Sequence, residues 1–292
     1  MSLALLAAFL VLIFPAEPDG GAASKRAAAI LDESKPAKER EALVKERAVP
    51  PADLIAAMTR DLTPGTKQEY ARIPWIWRVA IDAAKRNDPD EIRRILDVSL
   101  PPPDGKLDDW RAVVIGGGLI NGITQAGDWP GPRIEDVIKA DTKLSARYER
   151  ALDLASEMAD DPKVPTGTRY DALRMLGATT WDRRGAQLVG YLKKGTHPEL
   201  QMGAVSGLGD IRDHPGDVAK ALIDVLGDLN ATNRALALQA LTRDEPRALK
   251  LLDAVADGRL TPDGLGAKTI GALRAHASES VRRRAVGLLG RP

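Results

Sequence analysis

Arg169-Tyr170-Asp171-Ala172-Leu173-Arg174-Met175-Leu176-Gly177 decides the fold, because its skeleton, Arg-x-x-Ala-x-x-x-Leu-Gly, returns three more times. Gln201-x-x-Ala204-x-x-x-Leu208-Gly209, Arg234-x-x-Ala237-x-x-x-Leu241-Thr242 and Arg282-x-x-Ala285-x-x-x-Leu289-Gly290 repeat it with one change or none at the marked positions. The anchoring alanines lie 32, 33 and 48 residues apart. Spacing of this kind fits one helical hairpin per repeat with one enlarged unit, and predicts an all-α chain, an α-solenoid.

Alanine and leucine four residues apart share one helix face; the small side chain lets a neighbouring helix approach and the leucine fills the space beside it. The closing glycine is expected to adopt the left-handed conformation that ends a helix. The opening arginine or glutamine is expected to bond the turn of an adjoining repeat, with a ligand-binding ladder as the alternative.

Composition agrees. The 292 residues are 44% hydrophobic, ample for a core, while aromatics make up only 4%. Both phenylalanines, Phe9 and Phe14, fall near the N-terminus, so the remaining core must be aliphatic and tryptophan-based. Lys plus Arg number 42 against 41 Asp plus Glu, which leaves no net field to draw nucleic acid or an anionic membrane. The one basic cluster, Arg282 to Arg284, falls inside the last motif and reads as the polar face of a capping repeat. Cysteine is absent, which removes disulfides, thiolate catalysis, lipidated cysteine and Cys-x-x-Cys-His haem attachment together.

Leu3 to Phe14 is an apolar run too short to span a membrane, followed by Pro15 and small residues to Gly21-Ala22-Ala23. It predicts a cleaved signal peptide over 1–23 and a periplasmic or secreted chain, with no membrane span after cleavage. No basic residues precede the run, so an uncleaved short anchor is the alternative. Residues 24–49 are rich in Ala, Lys and Glu and read as a charged helical arm or linker. From 50 to 160 an N-terminal helical region is expected, interrupted by a Pro-rich loop at 101–105; residues 161–292 carry the repeats, which are HEAT-like in length and pattern. Helix starts are punctuated at Asp88-Pro89, His197-Pro198, Asp244-Glu245-Pro246 and Thr261-Pro262. No strand is predicted.

The sequence offers few groups for chemistry. Ile115-Gly116-Gly117-Gly118-Leu119-Ile120-Asn121-Gly122 resembles a phosphate loop superficially, but Gly116, Gly118 and Gly122 miss the dinucleotide spacing and no strand precedes them. The expected use of these glycines is to admit a neighbouring helix or a tryptophan ring; cofactor binding at 115–122 is the runner-up. His197, His214 and His276 read as turn residues, and Asp108-Asp109 and Asp160-Asp161 as anions at helix ends. Asp104 to Asp109 lacks the alternating oxygens of a calcium loop, and Ser206 misses nucleophile-elbow spacing. Trp75, Trp77, Trp110, Trp129 and Trp181 are expected in the core, with partner anchoring as the alternative. No catalytic, cofactor-binding or metal-ligating residue is assigned, and no cofactor or nucleic-acid partner is expected.

Ile73-Pro74-Trp75-Ile76-Trp77-Arg78-Val79-Ala80, Asp109-Trp110-Arg111 through Gly122, and Val164-Pro165-Thr166-Gly167-Thr168-Arg169 through Gly177 together carry a resemblance. From about Pro50 onward the chain resembles the HEAT-like helical region of planctomycete-type secreted membrane-bound-dehydrogenase-like proteins. In that family such a region accompanies a β-propeller and a c-type cytochrome. Neither a propeller-like run of short strands nor a haem motif is present here, so the resemblance implies an exported HEAT-like scaffold and not the oxidoreductase activity. The expectation is a non-enzymatic scaffold for a protein partner, such as a propeller or cytochrome component. A fragment of a larger dehydrogenase-like protein is a further alternative.

Overall fold

A computed structural model describes residues 20–63, 65–102 and 109–290. Among them every regular element is helical and no strand occurs. The helices are α1 (Gly20–Leu31), α2 (Ala37–Lys45), α3 (Pro51–Thr59), α4 (Lys67–Lys85), α5 (Pro89–Ser99), α6 (Asp109–Gln125), α7 (Pro130–Ile138) and α8 (Thr142–Asp160). There follow α9 (Thr166–Leu176), a π turn (Trp181–Gly185) leading into α10 (Ala186–Gly190), then α11 (Pro198–Asp210), α12 (Pro215–Val225), α13 (Ala231–Leu241), α14 (Glu245–Ala256), α15 (Pro262–Arg274) and α16 (Glu279–Leu289).

Side-chain caps start many of them. Asp88 accepts from the amides of Asp90 and Glu91, Asp141 from Leu144, Asn230 from Asn233, and Asp244 from Arg247. Each bond occupies an amide the first turn would otherwise leave unpaired, which stabilises a helix by about 1 kcal/mol. One face is then buried: Ile92, Ile95 and Leu96 of α5 are 0 to 1% exposed, and each aliphatic side chain withdrawn from water contributes roughly 1.5–3 kcal/mol.

Packing divides the helices into two layers. In the first, α4 lies against α6, α6 against α9, α9 against α11, α11 against α13, and α13 loosely against α15. In the second, α1 meets α3, α3 meets α5, α5 meets α7, and later α12 meets α14 and α14 meets α16. Paired helices such as α3 and α4, α8 and α9, or α15 and α16 join the layers, giving the all-α, solenoid-like stack that the period predicts.

Four expectations need correction or refinement. The arm at 24–49 is two packed helices: Ala23, Ala27 and Ile30 turn one stripe of α1 inward, and Arg40 stacks over Trp75 at 3.9 Å while its Nε bonds the Ile30 carbonyl at 2.5 Å. A long guanidinium stem buries as readily as an apolar chain when its head finds a ring and a carbonyl. The fourth motif is not an enlarged first-layer repeat, because Arg282 to Leu289 fall in α16 of the second layer; the first-layer helix that follows α13 is α15. Of the closing glycines only Gly290 is left-handed, at φ 75°. Gly177 and Gly209 are needed for close approach instead. A Cβ on Gly177 would sit 2.5 Å from the Gly207 carbonyl, and one on Gly209 would sit 3.1 Å from the Ala240 methyl. Finally, Asp160 and Asp161 lie at the C-terminal end of α8, where Asp160 accepts from Tyr191 and Gln187, and Asp161 from the Lys163 amide.

The opening residue of each motif does bond a neighbouring turn. Arg169 donates to the Ala159 carbonyl at 2.8 Å, Gln201 to Leu192 at 3.3 Å, Arg234 to Leu226, and Arg282 to His276 and Ala277 at 2.6 Å each. These carbonyls lie in the last turn of a preceding helix or just beyond its end, where no helical amide reaches them. Among the described residues no helix is long and apolar enough to cross a membrane. The apolar run Leu3 to Phe14, and Pro103 to Asp108 of the Pro-rich segment and carboxylate pair, lie outside the described residues.

Candidate functional site

The glycines of 115–122 are interior to α6. A Cβ on Gly118 would stand 2.8 Å from the Ala80 methyl and 3.3 Å from the Trp77 ring; one on Gly122 would stand 2.5 Å from both Ala84 and the Ile81 carbonyl. On the opposite side Gly116 faces Met175 and Gly117 faces Asp171. Both flanks of the segment are therefore occupied by α4 and α9, and its amides belong to the helix ladder. His197 accepts from the Glu199 amide, His276 from the Ser278 amide, and His214 is left-handed at φ 46° beside Asp182. Among the described residues no group of three His, Asp or Glu side chains is placed to hold a metal.

The tryptophans divide. Trp75 is 7% exposed. Trp129 precedes α7 and lies beneath two guanidinium groups, Arg243 at 3.9 Å and Arg247 at 5.1 Å from the ring centre. Those arginines open onto a charged network that local spacing does not reveal.

Asp210, the last residue of α11 and 3% exposed, is the hub. Its Oδ1 accepts from Thr124 of α6 at 2.8 Å and from Arg243 at 2.6 Å; its Oδ2 lies 3.7 Å from Nη2 of Arg174 on α9. Arg243 also donates to the carbonyls of Gly209 at 2.9 Å and Asp128 at 2.5 Å. Arg247, with no exposed surface, donates to Gly209 at 2.9 Å and to Ile211, and its Nε faces Asp244 at 3.2 Å. Burial lowers its pKa to about 10, against the pull of Asp244, so it stays protonated at neutral pH.

Arg174 is less fully used. It is 7% exposed, donates from Nη1 to the Tyr170 hydroxyl at 3.2 Å, and has no hydrogen bond at Nε. Burial opposes its charge, but Tyr170 and Asp210 outweigh burial and hold the guanidinium protonated. Asp171, one turn back and pressed against Gly117, has no hydrogen bond at Oδ1. Burial first and Glu199 second raise its carboxyl to about 8, with Arg174 acting against them. Asp171 is thus neutral at pH 7 and leaves Arg174 with Asp210 as its nearest counter-charge.

That protonation has a consequence for stability. Above pH 3.8, where an unfolded aspartate loses its proton, the folded chain retains one until about pH 8. The folded state binds more protons across that window, so this group's contribution to stability falls as pH rises through it and levels off above pH 8. Asp171→Asn, isosteric and uncharged, is expected to melt higher than the parent at pH 8 and to show a flatter Tm between pH 4 and pH 8. Parallel Tm profiles for the two proteins would contradict the assignment.

Arg174 lines a groove of about 440 Å³ across α6, α9, α11 and α13, with Thr124, Gln125, Ser206, Gln239 and Arg243 among its walls. Over Leu236, Gln239 and Thr242 it meets a second groove of about 770 Å³ between α13 and α15. The second groove is largely apolar, with Leu236, Leu238, Leu265 and Ala272, and Lys268 is its one charged residue among the described residues. It opens beside Gly266, whose φ of 74° and ψ of 156° break α15.

Arg174, Ser206 and Gln239 each sit two residues after the motif alanine: Ala172, Ala204 and Ala237. One register position of three successive repeats therefore supplies the polar column of the groove. On the other side of Asp210 a separate cleft of about 680 Å³ is lined by Tyr148, Arg183 and Arg212; burial raises the pKa of the Tyr148 hydroxyl, which has no partner. Comparison of the chain with protein-family models, with curated proteins and with solved structures gives no match. The class that the packing defines is an all-α, solenoid-like stack.

Proposed function

We propose that this chain is an exported, non-enzymatic α-solenoid scaffold that holds a protein partner across its first helix layer. The observation that supports this reading best is a pair of adjoining grooves between α6 and α15 that share Leu236, Gln239 and Thr242, with one repeated register position and a buried, under-bonded arginine among the walls. Solenoids present extended surfaces of this kind because each repeat contributes an equivalent stripe. A partner that displaces water from such a strip gains from the apolar section and is oriented by the polar one.

The scaffold works outside the cytoplasm, in the periplasm or the medium, after removal of residues 1–23, a cut that trims the first turn of α1 and takes Ala23 with it. Its partner is a propeller or cytochrome component of the same exported system, a reading motivated by the family resemblance. Affinity capture with the full chain from the exported fraction is expected to return one such component. Capture of cytosolic proteins alone, or of nothing, contradicts the scaffold reading. Cell fractionation with N-terminal sequencing tests export: a mature chain beginning at Ser24 is expected, and a cytoplasmic chain beginning at Met1 contradicts it.

A further inference from the structure

The formal charges of the whole chain nearly cancel, 42 positive against 41 negative. The two adjoining grooves do not share that balance. Among the described residues, their charged lining consists of Arg174, Arg243 and Lys268 against Asp210, and Asp210 already accepts from Arg243 and Thr124. Arg174 makes a single hydrogen bond with a group that carries five N–H donors. Its nearest carboxylate oxygen is 3.7 Å away, beyond a good hydrogen bond. A guanidinium that is more than nine-tenths buried and has donors to spare is costly to leave without acceptors, and a carboxylate answers it with paired oxygens. Apolar surface begins directly beyond it, over Leu236 and along α15.

We infer that the groove binds an extended peptide segment of the partner, seating an Asp or Glu side chain on Arg174 and the apolar residues beside it between α13 and α15. The inference rests on the scaffold reading and adds the chemistry of what is held. Thr124, Ser206 and Gln239 surround the seat with neutral hydrogen-bonding groups, which fix an acidic side chain without competing for it. The kink of α15 at Gly266 lies in the wall of the second groove. With Asp171 neutral, a bound carboxylate meets no second negative charge on α9 at pH 7.

The test uses the intact chain against phage-displayed random 12-residue peptides, in which acidic side chains are available and the C-terminal carboxylate is not. Selected peptides are expected to combine an acidic residue with neighbouring apolar ones. A synthetic copy of the strongest binder is then titrated by fluorescence anisotropy. Gln239→Glu, an exposed change that adds a negative charge beside the seat, is expected to weaken binding about three- to fivefold, and Gln239→Lys to strengthen it by a similar factor. Changing the peptide's acid to its amide is expected to cost at least about tenfold, and Arg174→Gln at least as much.

Selection of peptides without an acidic residue overturns the inference, as does equal affinity for the Glu and Lys variants of Gln239. A library that yields no binder overturns it too. The scaffold reading is judged separately by capture from the exported fraction: a genuine partner whose recovery is indifferent to the charge at 239 defeats the peptide-groove inference alone. Should Arg174→Gln fail to fold, the two Gln239 variants and the peptide amide decide the matter.

Discussion

Asp210→Ala is expected to destabilise the chain by about 3–5 kcal/mol, since it strips the shared carboxylate from two largely buried guanidinium groups. Arg174 and Arg243 are 8 and 17% exposed at their side chains, and Asp210 is 3% exposed, so neither cation is free to reorient into solvent cheaply. Thr124 loses its acceptor at the same time. The loss lies in the stranded charges more than in the deleted atoms. Arg174→Met in the same chain is therefore expected to recover part of the stability that Asp210→Ala removes, because it withdraws one of the unpaired charges. Urea denaturation followed by circular dichroism reads both. A loss below about 1 kcal/mol for the single variant would mean that the network is solvated and carries little.

A second large effect is expected at Gly122→Ala. The added methyl carbon would fall 2.5 Å from the Ala84 methyl and from the Ile81 carbonyl, and 2.9 Å from the Lys85 amide, so the backbone of α4 must retreat from α6. Forcing a methyl into a filled interface costs about 1–3 kcal/mol, and more where the obstacle is backbone. Alanine's better helix propensity offsets only about 1 kcal/mol of this. The contrast is Gly271→Ala in α15, where nothing lies within 4 Å of the new carbon and propensity acts alone. That variant is expected to raise stability by roughly 0.5–1 kcal/mol. If both substitutions stabilise, α4 and α6 are not in the contact described.

The repeat period, the helix starts and the packing role of Gly116 to Gly122 were legible because each rests on residues close in sequence. Asp88 caps α5 and Thr261 caps α15 where the sequence places them. The layer of the last motif was not legible. An Ala-Leu face satisfies either layer, so Arg282 to Leu289 reads the same whether its helix stacks on α13 or on α14. Gly177 and Gly209 read as left-handed stops because a glycine after a helical leucine usually serves that purpose; here it admits the next helix. The groove network was invisible for a different reason. Thr124 meets Asp210 across 86 residues and Arg243 meets Asp128 across 115, distances at which no local pattern operates. One signal was present all along: Arg174, Ser206 and Gln239 share a register position, in the column that the motif leaves undefined.

A photo-reactive amino acid placed at Gln239, compared with the same group at Lys220 on the exposed face of α12, tests most directly whether the first layer holds the partner. Irradiation of the exported fraction is expected to give one dominant adduct from position 239 and none from position 220. Equal adducts from both positions, or adducts from position 220 alone, would contradict the account.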